Sequence, residues 1–319
     1  MTPHTLTPPA LRPGDKVGII APAGPITEQQ AQKAAWNVSR AGYEPVMADG
    51  IFDKYGYLAG SDEARANQIN SQFAQKDVRA IICARGGYGT TRILDLLDYD
   101  LIKSNPKIIG GYSDITALAI AINKMTGLIT FHSSMLVPED NEYTRSMMWK
   151  IFGNGIRNAK IACDPSEADE SPIVDISPTP SKNRSQGTLI GGNLCLLQAL
   201  IGTKYDFNLT NKILFVEEIN EPPYKIDRML THLRMCKNFS GLRGIVFGKM
   251  KGCEAQGENS LTLSQVINDF IKGLDIPIIT DFSFGHVKSR CTLPIGAKVR
   301  MDVEKRELTL MEDVVQTNS

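Results

Sequence analysis

Apolar runs alternate with amphipathic stretches along the first half of the chain. The runs KVGIIAP, VRAIICARGG and KIIGGYS are continuously apolar, as strands covered on both faces of a parallel sheet are. They are followed by ITEQQAQKAAWNVSRAG, TTRILDLLDYDLIK and DITALAIAINKMTG, which are amphipathic. This rhythm predicts a domain in which crossover helices connect the strands of a parallel sheet.

The second half of the chain shows the same alternation after an interruption. From about Cys163 to Gln186 the sequence is rich in Pro, Ser and acidic residues, which is typical of an interdomain linker. Strand-like and helix-like segments then alternate through GTLIGGNLCLLQALIG, KILFVEEIN, YKIDRMLTHLRM, LRGIVFGKM, SLTLSQVINDFIKGL and IPIITDFSFGH. The closing VRMDVEKRELTLM predicts a hairpin.

The predicted fold class is therefore α/β with two domains. Residues 1–163 are expected to form an N-terminal domain around a parallel sheet of Rossmann or flavodoxin-like type, residues 164–186 a linker, and residues 187–319 a second α/β domain. A length of 319 residues is enough for two hydrophobic cores. Because ligand sites favour domain interfaces, the site is expected at the junction of the two domains.

The overall charge argues against nucleic acid as a partner. Thirty-five basic residues balance thirty-five acidic ones, so the chain lacks the positive excess that holds a phosphate backbone. No apolar stretch approaches membrane-spanning length and the N-terminus lacks the pattern of a signal peptide, which predicts a cytoplasmic protein without a membrane partner. Six cysteines are scattered singly, without metal-ligand spacing, so no metal site is expected.

The first candidate for chemistry is Ser113, in KIIGGYSDITAL. It lies where an apolar strand meets a helix, after Gly110 and Gly111, which permit a tight backbone. The helix N-terminus would direct free N–H groups at an oxygen near Ser113, as in a nucleophile elbow, although Ile115 replaces the second glycine of that motif. The alternative is that Ser113 serves only as the N-cap of the helix, and this segment alone favours that alternative.

A second strand-to-helix corner, ARGGYGTTRILDLL, contains Gly86, Gly87 and Gly89. A dinucleotide-binding loop is one interpretation, but Arg92 stands where that fingerprint requires a third glycine. The free N–H groups of the loop can instead face Ser113 as oxyanion donors, because the C-terminal ends of neighbouring parallel strands meet at one edge of a sheet. A plain turn is the remaining alternative.

A serine nucleophile needs a general base, and the chain has four histidines. His4 lies in the N-terminal tail and His232 in an amphipathic helix, so neither is favoured. His132, in GLITFHSSM, follows an apolar strand and is placed to line a pocket. His286 ends the strand IPIITDFSFGH and begins a loop, a position suited to function, with an ordinary surface histidine as an equal alternative.

A carboxylate able to orient the histidine is expected at the end of the strand KILFVEE. Glu217 is the candidate. Glu218 and Glu221 are expected to be solvated in the loop or to favour the N-terminus of the following helix, and this role is also the alternative for Glu217.

Several motifs, in one order, resemble the LD-carboxypeptidase family. They are RGGYG, GYSDITAL, GTLIGGN, the EEINEPPYKIDRML segment, and FGH followed by TLPIGA. The similarity covers nearly the whole chain. It implies a serine peptidase whose catalytic triad is Ser113, Glu217 and His286, and whose oxyanion hole is formed by the backbone N–H groups of Gly87 and Asp114.

The resemblance also implies an activity. Proteins of this family are cytoplasmic enzymes, often homodimers, that remove the terminal D-alanine from murein tetrapeptides during cell-wall recycling. No metal or organic cofactor is implied. This chain departs from the family pattern at Ser133 and Ser134, where FHSSM replaces the usual FHGPM, and this difference puts the local pocket wall and the substrate details in question.

Recognition of a free substrate carboxylate favours arginine, whose planar guanidinium can donate two parallel hydrogen bonds to it. Arg85, beside the glycine loop, is the first candidate and Arg290 the second. Tyr88 and His132 are expected to contribute to the same substrate site.

Two alternative functions stay open at this point. A related branch of the family cleaves a peptide-nucleotide antibiotic and so confers self-immunity. Such an enzyme would stack a nucleobase on an aromatic side chain, for which Tyr88, Tyr112 and Tyr224 are candidates. A non-catalytic module would use the glycine corners to hold an anion without turnover.

Overall fold

The computed structural model describes residues 5–167 and 182–317. Its strands are β1 (Lys16–Ile20), β2 (Glu44–Met47), β3 (Val78–Cys83), β4 (Ile108–Gly111), β5 (Thr130–His132), β6 (Lys160–Ala162), β7 (Arg184–Asn193), β8 (Lys212–Ile219), β9 (Gly244–Lys251), β10 (Ile278–Gly285), β11 (Leu293–Ile295), β12 (Lys298–Asp302) and β13 (Glu307–Leu310).

The helices of the described residues are α1 (Glu28–Ser39), α2 (Asp62–Ala74), α3 (Thr90–Ile93), α4 (Tyr99–Ser104), α5 (Ile115–Thr126), α6 (Glu142–Asn154), α7 (Leu194–Leu200), α8 (Pro223–Met235) and α9 (Leu263–Ile271). Short 3₁₀ turns lie at Leu94–Leu96, Pro165–Glu167 and Phe239–Gly241. Within residues 5–167 and 182–317, no helix has the length and apolar character needed to cross a membrane.

The first sheet has the strand order β2-β1-β3-β4-β5-β11. Its first five strands are parallel, and the order 2-1-3-4-5 is that of flavodoxin-like folds. Strands β1, β3 and β4 are buried almost throughout, as their continuously apolar sequences require. The parallel N-terminal sheet predicted from the sequence is confirmed.

The second sheet has the strand order β10-β9-β8-β7-β12-β13-β6. Strands β7 to β10 are parallel to one another, whereas β12, β13 and β6 pair antiparallel. The hairpin predicted near the C-terminal end is formed by β12 and β13. The predicted second α/β unit is therefore present.

Two strands cross the domain boundaries that the sequence predicted. β6 lies within residues 1–163 but pairs with β13 of the second sheet, and β11 lies within residues 187–319 but pairs with β5 of the first. β7 begins at Arg184, inside the predicted linker 164–186, of which residues 168–181 lie outside the described part. Hydrophobic periodicity indicates where a strand forms but not which sheet it joins, so these boundaries were misplaced.

One cluster of buried apolar side chains extends through both sheets, instead of the two cores that chain length suggested. Helix α5 lies at its centre, because it contacts β4 of the first sheet and both β7 and α7 of the second. Its sequence is apolar around most of the helix, as burial on several sides requires. Thr116, in its first turn, accepts a hydrogen bond at Oγ1 from the Asn193 N–H at 3.0 Å. Helix α5 therefore joins the two sheets.

Gly192 is the glycine on which this junction depends. Its φ is +144°, and a Cβ at this position would lie 2.4 Å from Thr116 Cγ2. We expect Gly192→Ala to lower the free energy of unfolding by about 2–4 kcal/mol, because α5 or β7 must move to relieve the overlap.

Gly202→Ala is the matched control for this prediction. The φ of Gly202 is +80°, but no atom lies within 4 Å of a Cβ built there. Its expected loss is the backbone strain alone, about 1–2 kcal/mol. Urea denaturation of both variants measures the difference, and equal losses would contradict the role given to Gly192.

Candidate active site

Ser113, His286 and Glu217 meet at the junction of the two sheets. His286 Nε2 lies 3.0 Å from Ser113 Oγ, and His286 Nδ1 lies 2.8 Å from Glu217 Oε2. Ser113 follows β4 of the first sheet, whereas Glu217 lies in β8 and His286 directly follows β10 of the second. The Glu217 side chain is fully buried, and that of His286 keeps 15% exposure. A hydroxyl, an imidazole and a buried carboxylate in this order match the geometry of a serine-hydrolase triad.

Ser113 has a strained backbone. Its φ is +65°, in the left-handed region that is unfavourable for residues other than glycine. The N-cap position of α5 is Asp114, and the Ser113 hydroxyl faces His286, so the alternative that Ser113 is only an N-cap is wrong. Strain of this kind persists only where the surroundings hold it, and it is concentrated at functional sites.

The Asp114 side chain ties the serine corner to the glycine loop. Its carboxylate accepts a hydrogen bond from the Thr90 N–H at 2.8 Å, and Thr90 Oγ1 donates to the Asp114 carbonyl at 2.5 Å. Burial raises the pKa of Asp114, and the hydrogen bonds from Thr90 oppose that rise. No sequence motif pointed to Thr90, because its role arises only when the two loops meet.

The glycine loop runs directly beside Ser113. A Cβ at Gly86 would lie 3.0 Å from Ser113 Cβ, and one at Gly87 would lie 2.9 Å from the Gly24 nitrogen, so larger residues do not fit. Among the described residues, the backbone N–H groups of Gly87 and Asp114 donate to no other protein group. Neither N–H is therefore committed to another described protein group.

A cavity of about 510 Å³ opens beside this loop, lined by Gly24, Pro25, Tyr57, Arg85, Gly87 and Tyr88. It lies between the ends of β1 and β3, where the strand order of the first sheet reverses. Open α/β sheets bind their ligands at such a point. The cavity therefore lies at the expected ligand position of this fold, beside the glycine loop that packs against Ser113.

Arg85 and Tyr88, which the sequence analysis named as candidates for substrate binding, line this cavity. Arg85 donates from Nε to the Gly86 carbonyl at 3.2 Å and from Nη1 to the Pro25 carbonyl at 3.4 Å, while no described protein group binds its Nη2. Tyr88 is half exposed, and its ring meets that of Tyr57 edge-on at a centroid distance of 5.6 Å. Tyr57, in the loop before α2, was missed because the sequence shows no motif around it.

Arg290, in contrast, is withdrawn from the cavity, and the prediction that it binds the substrate carboxylate is wrong. It is 4% exposed, and its guanidinium donates to the Glu139 carbonyl at 2.9 Å, to Ser134 Oγ at 3.1 Å and to the Val287 carbonyl. Ser133 and Ser134 are themselves buried. The departure from FHGPM therefore alters the packing beneath the site and not a surface that a substrate would contact.

His132 also lies in the core behind the site, not on its open face as the sequence predicted. It is 2% exposed, and its ring contacts those of Tyr112, Phe215 and Phe284. Neither ring nitrogen has a hydrogen-bond partner among the described residues. Burial lowers the pKa of His132 to about 4, so the imidazole is uncharged at neutral pH.

The two acidic residues beside Glu217 behave differently from each other. Glu218 is buried instead of solvated, and it accepts hydrogen bonds from Asn193 Nδ2 and the Cys195 N–H, both at 2.8 Å, near the start of α7. Burial raises its pKa. Glu221 pairs with Lys225 at 2.8 Å in the first turn of α8, in line with the helix-terminus role expected from the sequence.

In the part of the chain that the structure describes, no group of three or more His, Cys, Asp and Glu side chains is arranged to hold a metal ion.

Comparison with known proteins identifies the family to which this chain belongs. Models of the N-terminal and C-terminal domains of LD-carboxypeptidases match residues 17–133 and 186–301. This chain belongs to the LD-carboxypeptidase family. It is 35% identical over 306 residues to the "probable murein peptide carboxypeptidase" of Bacillus subtilis, covering 94% of this chain and 92% of that relative. It is 28% identical over 338 residues to the microcin C7 self-immunity protein MccF of Escherichia coli, covering 98% of each.

Solved structures of a muramoyltetrapeptide carboxypeptidase and of MccF share the fold of this chain. The muramoyltetrapeptide carboxypeptidase from Oxalobacter formigenes has a TM-score of 0.81 and 27% identity, covering 94% of this chain and 100% of that one. MccF in complex with glutamyl sulfamoyl guanosine has a TM-score of 0.86 and 26% identity, covering 98% and 100%. The family resemblance predicted from the motifs is confirmed, and the protein is a serine-type carboxypeptidase.

The buried His132 makes folding sensitive to acid. Its pKa is 6.5 in the unfolded chain and about 4 in the folded one, so below pH 6.5 the unfolded state binds a proton that the folded state does not. We expect His132 to remove about 3 kcal/mol of stability between pH 6.5 and pH 4, and His132→Phe to abolish that part of the loss.

Urea denaturation at several pH values measures this effect. Phe is chosen because it fits the aromatic surroundings of His132, and the same substitution at the partly exposed His232 of α8 is the control. A His132→Phe protein whose stability falls with acid as steeply as that of the wild type would show that another group is responsible.

Proposed function

We propose that this protein is an LD-carboxypeptidase that removes the terminal D-alanine from a murein tetrapeptide during cell-wall recycling, with Ser113, His286 and Glu217 as its triad. The observation that carries the proposal is the position of His286, with Nε2 at 3.0 Å from Ser113 Oγ and Nδ1 at 2.8 Å from Glu217 Oε2. The choice of substrate is supported by the 35% identity to a relative named as a murein peptide carboxypeptidase.

In the proposed reaction, His286 Nε2 takes the proton of Ser113 while Oγ attacks the carbonyl carbon that joins an L-centre to the terminal D-residue. Glu217 accepts the Nδ1–H and keeps the imidazole in the tautomer that this step requires. The free N–H groups of Gly87 and Asp114 bind the oxyanion, each contributing roughly 3 kcal/mol to stabilisation of the transition state.

The tetrahedral intermediate then collapses. The imidazolium of His286 gives its proton to the leaving amine, D-alanine departs, and an ester remains on Ser113. Water, deprotonated by His286, hydrolyses this ester and restores the free serine. The His286 side chain keeps 15% exposure, so solvent water can reach the imidazole.

Arg85 is the proposed partner of the substrate carboxylate. In a carboxypeptidase substrate this carboxylate lies on the residue that follows the cleaved bond, so its cation must be close to the oxyanion hole. Arg85 is two residues from Gly87, lines the same cavity and keeps Nη2 free of described protein partners. Tyr88 lines the cavity beside it.

A second candidate function is the immunity-type peptidase, and one observation favours it. Tyr57 and Tyr88 present two exposed rings, 5.6 Å apart, in the cavity beside the oxyanion loop, where a planar base could stack. Glutamyl sulfamoyl guanosine is the ligand in a solved structure of the relative MccF. A non-catalytic anion-binding module, by contrast, would not need a histidine at hydrogen-bonding distance from Ser113.

Two further parts of the proposal rest on the family resemblance. The protein is proposed to act in the cytoplasm and as a homodimer. Light scattering on the purified protein tests the second part, and a mass of one chain would overturn it.

Ser113→Ala is expected to abolish release of D-alanine from a murein tetrapeptide, because no other group can form the acyl-enzyme. Mass spectrometry of the products of wild type and variant measures the release, with Ser39→Ala, at an exposed position at the end of α1, as control. Turnover by the Ser113→Ala protein would rule out this serine as nucleophile. Cleavage by wild type of a glutamyl sulfamoyl nucleoside, but not of the tetrapeptide, would favour the second candidate.

Arg85→Ala is expected to raise KM for the tetrapeptide by about 10- to 100-fold, because a charge-assisted hydrogen bond to the terminal carboxylate is lost. The same peptide with its C-terminus amidated isolates this contact. Wild type and variant should differ little on the amide, and an unchanged KM for the free acid would exclude Arg85 as the carboxylate partner.

A further inference from the structure

We propose that Arg290 is a positioning residue for His286, which it holds in place from behind through the loop backbone and through Tyr112. This inference rests on the proposed role of His286 as general base. It replaces the substrate contact that the sequence suggested for Arg290.

The first link acts through the backbone. The Arg290 guanidinium donates to the carbonyl of Val287, the residue directly after His286. The same loop is fixed to α6, because Thr144 Oγ1 donates to the Lys288 carbonyl at 2.7 Å and accepts from the Arg290 N–H at 2.7 Å. The loop that follows His286 is therefore held in two ways, by the backbone N–H of Arg290 and by its guanidinium.

The second link acts through a ring. The guanidinium carbon of Arg290 lies 5.1 Å from the centroid of the Tyr112 ring, within the range of a cation–π contact. The Tyr112 ring in turn meets the His286 ring at 5.0 Å and an interplanar angle of 69°. Arg290 thus supports the Tyr112 ring, which packs against the imidazole and restricts its rotation.

Stability alone does not explain this arginine. Its side chain donates to two carbonyls and one hydroxyl, its Nε has no partner among the described residues, and no described carboxylate lies within 4.0 Å of it. A buried cation with only neutral acceptors is unfavourable, and an apolar side chain of similar length would suit a core position better. The contacts with Val287 and Tyr112 supply the reason for its presence.

Kinetic constants for the tetrapeptide test the proposal. Arg290→Met keeps the length but removes the charge and the donors, and we expect kcat to fall by about tenfold or more while KM stays within about twofold. Arg290→Lys restores a cation but not the planar guanidinium, so it should recover kcat to only about one half to one third of the wild-type value. Arg243→Met is the matched control, since Arg243 is exposed and donates to Asn211, which lies just before β8 and away from His286 in the sequence.

A second measurement does not depend on turnover. The His286 Nδ1–H that faces Glu217 should give a far-downfield proton NMR signal, assigned by its absence in His286→Ala. We expect Arg290→Met to shift, broaden or remove this signal, Arg290→Lys to retain it, and Arg243→Met to leave it unchanged. If Arg290→Met does not fold, Arg290→Lys alone decides the matter, because it should still lower kcat by about two- to threefold at unchanged KM.

The outcomes separate the two proposals. A wild-type protein without activity on the tetrapeptide would contradict the proposed function, while the NMR signal would still decide the role of Arg290. A raised KM at unchanged kcat in Arg290→Met would return Arg290 to substrate binding and overturn the inference. An unchanged signal and unchanged kcat, with only a lower Tm, would reduce Arg290 to a structural residue and overturn it as well.

Discussion

The site depends on a close contact between two sheets. Ser113 is carried by the first sheet, whereas Glu217 and His286 are carried by the second, so the 3.0 Å separation between Ser113 Oγ and His286 Nε2 requires a fixed distance between them. Helix α5 sets that distance. In the first turn of α5, Thr116 Oγ1 accepts a hydrogen bond from the Asn193 N–H. The absence of a side chain at Gly192 lets β7 approach the helix. A site shared in this way is lost if either sheet shifts by even an ångström.

The same junction explains how a strained serine is tolerated. A left-handed serine costs about 1–2 kcal/mol relative to an ordinary conformation. The Ser113 carbonyl is held by the Thr116 N–H at 2.9 Å, and Asp114 is tied to Thr90 on the glycine loop. Glycine at position 113 would relieve the strain but would remove the hydroxyl. The strained backbone therefore accompanies an Oγ that faces His286 and lies beside the glycine loop.

The sequence predicted what is local and missed what is not. The ends of apolar strands made Ser113, Glu217 and His286 candidates but left other roles open for each, and the family resemblance is what singled them out as a triad. TTRILDLLDYDLIK reads as one amphipathic stretch, yet it divides into α3, a 3₁₀ turn and α4, because Leu97 is extended and Asp98 caps a new helix. The exchange of β6 and β11 between sheets, and the burial of Arg290, depend on partners more than a hundred residues away. No periodicity encodes such pairings.

The most direct test of a serine activated across the two sheets is its reaction with a fluorophosphonate. Ser113 Oγ would bond to phosphorus as fluoride leaves, with His286 taking the proton, and mass spectrometry of the digested protein would locate the adduct. We expect one phosphonyl group, on Ser113, in the wild type, and labelling slowed by about a hundredfold or more in His286→Ala. No adduct on Ser113 in the wild type, or labelling at the same rate without His286, would contradict the account.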